Sequence, residues 1–229
     1  NRTQPISVGW RTTDLGARGN EQTNDTQRVV AALEGIVAGW DYQLAALYSK
    51  ANVNVDFTGG YGSRAALVNG MAGTNGAPYL NPFGPQSAAG AAYLQANTIT
   101  GTLQDMESTL SSLTAIAGRQ FGSLPGGPMA VALSAEFRKE DNTYTTDVTK
   151  ARQTSSSGLA GQAPLRTGER DIWAVGLEFN FPILKNLELG ASVRYDDYSD
   201  FGSTTNPKVS LKYTPVKELL LRASYNTGF

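Results

Sequence analysis

The chain is 229 residues long and close to electroneutral, with 20 acidic and 19 basic side chains, so no strong field is available to grip nucleic acid. Histidine and cysteine are both absent, which removes disulfides, thiolate and imidazole chemistry and the usual ligands of zinc, haem and copper. No stretch approaches the roughly 18 consecutive apolar residues of a transmembrane helix; the mean hydropathy of -0.28 suits a wall of membrane strands, whose lipid-facing and lumen-facing residues alternate.

Residues about 5 to 12 and 26 to 34 carry weak strand patterns. The first clear one is Trp40 to Tyr48, where Trp40, Tyr42, Leu44, Ala46 and Tyr48 share one face and Asp41 and Gln43 the other. A long connection follows from Ala51 to about Leu103, within which Gln86 to Asn97 has the composition of a short surface helix. Gln104 to Arg119 reads as a strand, although Leu103, Met106, Leu110, Leu113 and Ala117 also fall at helical spacing. After the turn Leu124-Pro-Gly-Gly-Pro128, Met129 to Glu140 alternates again, with Glu136 and Arg138 opposite Ala135 and Phe137. Residues 141 to 170 form a second long connection, and the Ser/Gly/Gln-rich stretch 151 to 168 within it is expected to be mobile.

Four strands close the chain. Residues 171 to 181 set Trp173, Val175, Leu177, Phe179 and Phe181 against Ala174, Gly176, Glu178 and Asn180. Residues 187 to 195 set Leu187, Leu189, Ala191, Val193 and Tyr195 against Glu188, Ser192 and Arg194. The last two place Val209, Leu211 and Tyr213, then Leu219, Leu221, Ala223 and Tyr225, opposite Ser210, Lys212, Arg222 and Ser224.

The expectation is an all-β, antiparallel transmembrane β-barrel wall of about nine strands, each near 10 residues, the length of a tilted bilayer crossing. Connections after residues 34, 121, 181 and 214 are short and those after 50, 140 and 195 long, the asymmetry of periplasmic turns and extracellular loops. A soluble β-sandwich with two insertions is the alternative, but aromatic rims on every strand are unusual there.

Four phrases carry a resemblance: Asn81-Pro-Phe-Gly84; Leu124-Pro-Gly-Gly-Pro128 leading to Ala135-Glu-Phe-Arg-Lys-Glu140; Val193-Arg-Tyr-Asp-Asp-Tyr-Ser-Asp-Phe-Gly202; and Leu221-Arg-Ala-Ser-Tyr-Asn-Thr-Gly-Phe229. Over most of residues 24 to 229 the chain resembles TonB-dependent outer-membrane receptors. The resemblance implies a 22-stranded barrel plugged by an N-terminal domain. It also implies uptake of a scarce nutrient (siderophore-iron, cobalamin, glycan or peptide) across the outer membrane of a Gram-negative bacterium, and the TonB-ExbB-ExbD system as partner. Neither a plug, a TonB-box segment nor a final insertion strand is visible, so residues 1 to 229 read as an internal piece of the barrel domain. Loops 51 to 103, 141 to 170 and 196 to 206 would then form the ligand-capturing face. A plugless porin-type channel and a secreted β-sandwich adhesin are the competing readings.

Candidate ligand-binding residues are Glu136, Arg138, Glu178, Arg194 and Arg222 on inward faces, and Asp196, Asp197 and Asp200 in the acidic loop. The inward charges either touch a ligand or plug, or pair with one another along the wall. The three aspartates lack the glycine and terminal glutamate of a calcium loop and read as a solvated acidic turn. Gly59, Gly60 and Gly62 are followed by no Lys-Ser or Lys-Thr, so a phosphate loop is rejected. Trp40, Tyr42, Tyr48, Trp173, Phe179, Phe181, Tyr195, Tyr213 and Tyr225 are expected to anchor at the membrane interfaces beside the lipid bilayer. No catalytic residue, metal site or cofactor is expected, and the chain is not read as an enzyme.

Overall fold

The computed structural model describes residues 9–154 and 158–228. Among these, eight strands form a single sheet: β1 (Gly19–Val37), β2 (Trp40–Gly59), β3 (Gly101–Leu124), β4 (Gly127–Thr146), β5 (Leu165–Leu184), β6 (Leu187–Tyr198), β7 (Gly202–Val216) and β8 (Leu219–Asn226). Spatial order equals chain order, so each strand pairs with its sequence neighbours. The first half of the ninth expected strand, about residues 5 to 12, lies outside the described residues, and Gly9 to Thr12 carry no strand.

Several expected boundaries move. β3 is a strand of 24 residues, which removes the helical reading of 104 to 119. β2 and β4 run 20 residues each, about twice the expected length. Alternating hydropathy marks a strand only where one face is apolar. Past Phe137 both faces of β4 turn polar, and past Tyr48 the apolar residues of β2 change parity to Ala51, Val53, Val55 and Phe57, while backbone pairing, which ignores side-chain polarity, continues. For the same reason residues 196 to 206 are not a long loop: Asp196 pairs with Thr204, Tyr198 with Gly202, and only Ser199–Phe201 connects the two strands. The other long connections shrink to residues 60–100 and 147–164. Residues 148–153 form a helix that runs into the start of the 151 to 168 stretch expected to be mobile.

Short turns join the other strand ends. Ala38 and Gly39 both have positive φ, 50° and 76°, the two-residue turn whose twist suits a hairpin. Prolines gather at these ends, and register shifts occur beside Pro182 and Pro215, where a residue without an N–H leaves the ladder least disturbed.

The residues divide into two compact units: residues up to 25, 52–107 and 143–167, and residues 26–51, 108–142 and 168 onward. The first holds α1 (Arg64–Ala72), α2 (Ala88–Ala96), close to the expected surface helix, and α3 (Val148–Gln153). Ser63, Ser87 and Asp147 cap them by accepting from Ala66, Gly90 and Lys150 backbone N–H groups. Two small cores hold this unit. Leu15, Leu67, Leu80 and Leu94 form one; Phe57, Tyr61, Leu103 and Ala151 the other. The Asn81-Pro-Phe-Gly84 phrase is a clasp: Gln86 accepts from the Asn81 N–H and donates to the Asn81 carbonyl, fixing the fully buried Leu80.

The second unit has one apolar and one polar face. Leu33, Leu44, Leu113, Phe137 and Trp173, from five successive strands, border an open groove of about 680 Å³ floored by alanines. In the β5–β6–β7 register the apolar rows run Leu177–Val193, Phe179–Ala191–Val209 and Phe181–Leu189–Leu211, and polar rows lie between them.

Candidate functional site

The polar face of the second unit carries a continuous chain of charges. In order these are Asp196, Arg194, Glu136, Arg138, Glu140, Arg170 and Asp200, four carboxylates alternating with three guanidiniums. Successive N···O separations are 2.8, 2.9, 3.9, 3.1, 2.6 and 3.9 Å. Period-2 geometry builds it: Glu136, Arg138 and Glu140 point to one side of β4, and Arg194 and Asp196 to the same side of β6. Between them on β5, Ile172 and Ala174 are almost fully buried on that face, where long side chains of neighbouring strands cover small ones.

At one end the chain of charges meets an aromatic pair. Tyr198 and Phe201 stack with ring centroids 4.3 Å apart, and the Arg170 guanidinium lies 5.7 and 5.9 Å from the two rings. Arg170 stands beyond the Trp173 aromatic row; donation of a hydrogen bond to Glu140 is the main reason its pKa is raised above the ordinary arginine value.

Five of the eight candidate ligand residues, Glu136, Arg138, Arg194, Asp196 and Asp200, are brought together here, and they pair with one another. Glu178 is exposed on the same face outside the network. Asp197 points to the opposite side, opposite Trp173 in the ladder, and its carboxylate accepts from Tyr195. Arg222 sits on edge strand β8 opposite Lys212, which donates to Glu188. The acidic trio therefore splits: Asp196 and Asp197 are strand residues facing opposite ways, and only Asp200 lies in a turn. Among the described residues no three acidic groups converge as a metal site.

Sequence reasoning missed Glu140 and Arg170. Glu140 continues the i, i+2 charge alternation of Glu136 and Arg138, a signal that was legible. Arg170 was lost because the strand was expected to begin at residue 171, whereas β5 begins at Leu165.

The aromatic residues follow the other face. Trp40 and Tyr48 on β2, and Trp173 and Phe181 on β5, are each eight residues apart. At roughly 3.3 Å per residue and a tilt of about 40° that is about 20 Å along the membrane normal, comparable with the roughly 25 Å apolar band of an outer-membrane barrel. Phe179 and Phe181 stack at 5.7 Å, Trp173 lies 5.1 Å from Tyr195, and the Arg119 guanidinium rests over Trp40 at 5.4 Å. Tyr42 lies across Gly35 on this face, and Tyr213 and Tyr225 fall in the apolar rows of β7 and β8.

Residues 1–229 match the family described as TonB dependent receptor-like, beta-barrel. The chain belongs to the TonB-dependent receptor β-barrel family. The sheet is therefore a transmembrane barrel wall, its apolar face toward lipid and its polar face toward the lumen. Solved structures share the fold. The siderophore receptor PirA from Acinetobacter baumannii aligns with a TM-score of 0.52 at 15% identity, over 88% of this chain and 25% of that one. The RagAB peptide transporter aligns at 0.55 and 15%, over 91% and 23%; the RagAB peptide importer in its closed-closed state aligns at 0.54 and 13%, over 91% and 23%. The chain thus spans about a quarter of the length of the solved barrels it matches. No curated protein sequence matches.

Proposed function

We propose that this chain supplies wall strands and capture loops of an outer-membrane receptor that takes up a scarce nutrient in a Gram-negative bacterium, driven by the TonB-ExbB-ExbD system through a plug domain carried elsewhere in the protein. The observation that carries the reading is the family match along the whole chain, on strands that separate an aromatic-rimmed apolar face from a charged one. Binding and passage, not bond chemistry, is the work assigned. Siderophore-iron, cobalamin, a glycan or a peptide are the substrate classes in view. The charge chain supports a lumen role: its members largely satisfy each other, giving a wet wall that a plug or ligand can slide past without meeting a large unbalanced charge.

The test is growth of a strain lacking the gene on iron chelates, cobalamin, oligosaccharides or oligopeptides as limiting nutrient, beside a strain lacking TonB. A defect on one class, reproduced by loss of TonB, supports the receptor. A defect indifferent to TonB would favour a passive channel instead.

A further inference from the structure

Within the first unit, an open cavity of about 650 Å³ lies between α1 and α3 and is lined on its polar side by Ser63, Arg64, Asn69, Thr149, Arg152 and Gln153. We propose that it is an oxyanion-binding subsite, taking a carboxylate or phosphate group of a small ligand. This rests on the receptor reading and narrows its substrate to one that bears such a group.

Three observations converge. First, Arg64 and Arg152 are the only ionisable residues in the lining, and neither has a carboxylate partner among the described residues. The charge chain of the second unit shows the contrast, for every guanidinium there meets an acid. Second, backbone pairing brings the segments that carry the two arginines together. Ser63 and Thr154 form an antiparallel bridge between the two loops, so Arg64 follows, and Arg152 precedes by two residues, a fixed crossing point where Cα atoms lie roughly 5 Å apart. Third, Arg152 is already oriented, its Nε–H donating to the Ala160 carbonyl at 3.3 Å, which uses one of the five N–H donors of a guanidinium. Two guanidiniums lining one cavity with no acid in the lining leave it positive, and an oxyanion entering it gains charge-assisted hydrogen bonds. The side-chain amides of Asn69 and Gln153 and the hydroxyl of Thr149 add neutral donors, and the volume fits a small-molecule ligand.

The experiment uses the full-length protein in detergent, with citrate and inorganic phosphate as probes, titrated by calorimetry at constant ionic strength. Variants are Arg64→Gln, Arg152→Gln and the charge-preserving Arg64→Lys, each checked for folding by heat-modifiable migration on gels. The expected result is saturable binding of at least one anion, weakened roughly tenfold or more by either glutamine variant and less by Arg64→Lys. No binding of either anion, or binding unchanged in both glutamine variants, overturns the subsite. Arginine-dependent binding without any nutrient defect in the deletion strain sinks the receptor reading and leaves the subsite standing. A TonB-dependent defect with arginine-independent binding does the reverse.

Discussion

Arg194 on β6 reaches across β5 to Glu136 on β4, its Nη2 2.9 Å from Glu136 Oε2, and the residue paired with Arg194 in the intervening strand is Gly176. A Cβ there would meet Ser134 Oγ on β4, two residues before Glu136. The charge chain thus connects the polar face laterally over three strands as well as along each strand.

That relationship predicts the effect of adding a methyl group. A Cβ on Gly176 would run into Ser134 Oγ, so Gly176→Ala is expected to cost about 1 kcal/mol by overpacking, and Ser134→Gly in the same protein should recover most of it. Equilibrium urea titration in lipid vesicles measures both; a recovery of nothing would mean that Ser134 is not the obstacle.

The Arg194–Glu136 pair is itself partly exposed, which limits its worth. A double-mutant cycle with Glu136→Gln and Arg194→Gln should return a coupling of about 0.5 kcal/mol that shrinks in molar salt. A coupling several times larger would show that this face is dry in the assembled protein.

Ala38 holds a left-handed conformation in the β1–β2 turn, where asparagine is tolerated better than alanine. Ala38→Asn should stabilise the protein by roughly 0.5 to 1 kcal/mol, and Ala38→Val should destabilise it; the urea midpoint reports the sign of each.

The two faces predict opposite responses at adjacent positions. Leu44→Arg places a charge in the apolar band and should cost about 2 to 4 kcal/mol of stability in a bilayer. Gln43→Arg, one residue away on the polar face, should stay within about 0.5 kcal/mol. Equal costs at both positions would remove the assignment of faces.

What was legible in the sequence follows from what alternation encodes. Trp40 to Tyr48 and Trp173 to Phe181 announced their faces because lipid demands apolar residues on one side. The paired strand residues Asp196 and Asp197 looked like loop because both faces are polar there, and only the cross-strand ladder with Ser203 and Thr204 shows otherwise. Glu136, Arg138 and Arg194 were identified from parity alone, whereas their partner Arg170 depended on a strand boundary that hydropathy does not mark. Arg64 and Arg152 were invisible as a pair, since 88 residues separate them and only the bridge between Ser63 and Thr154 brings their loops together.

The central claim, that one face of this sheet meets lipid and the other the lumen, is tested most directly with a nitroxide scan of β2. Single cysteines are introduced at positions 41 to 48 of the full-length protein; these 229 residues hold no cysteine of their own, and any cysteine outside them is first replaced by serine. In lipid vesicles, collision rates with oxygen and with a water-soluble nickel chelate should alternate: positions 42, 44 and 46 favour oxygen, and positions 41, 43 and 45 do not. A flat profile, or chelate access at all eight positions, would contradict a membrane-spanning strand.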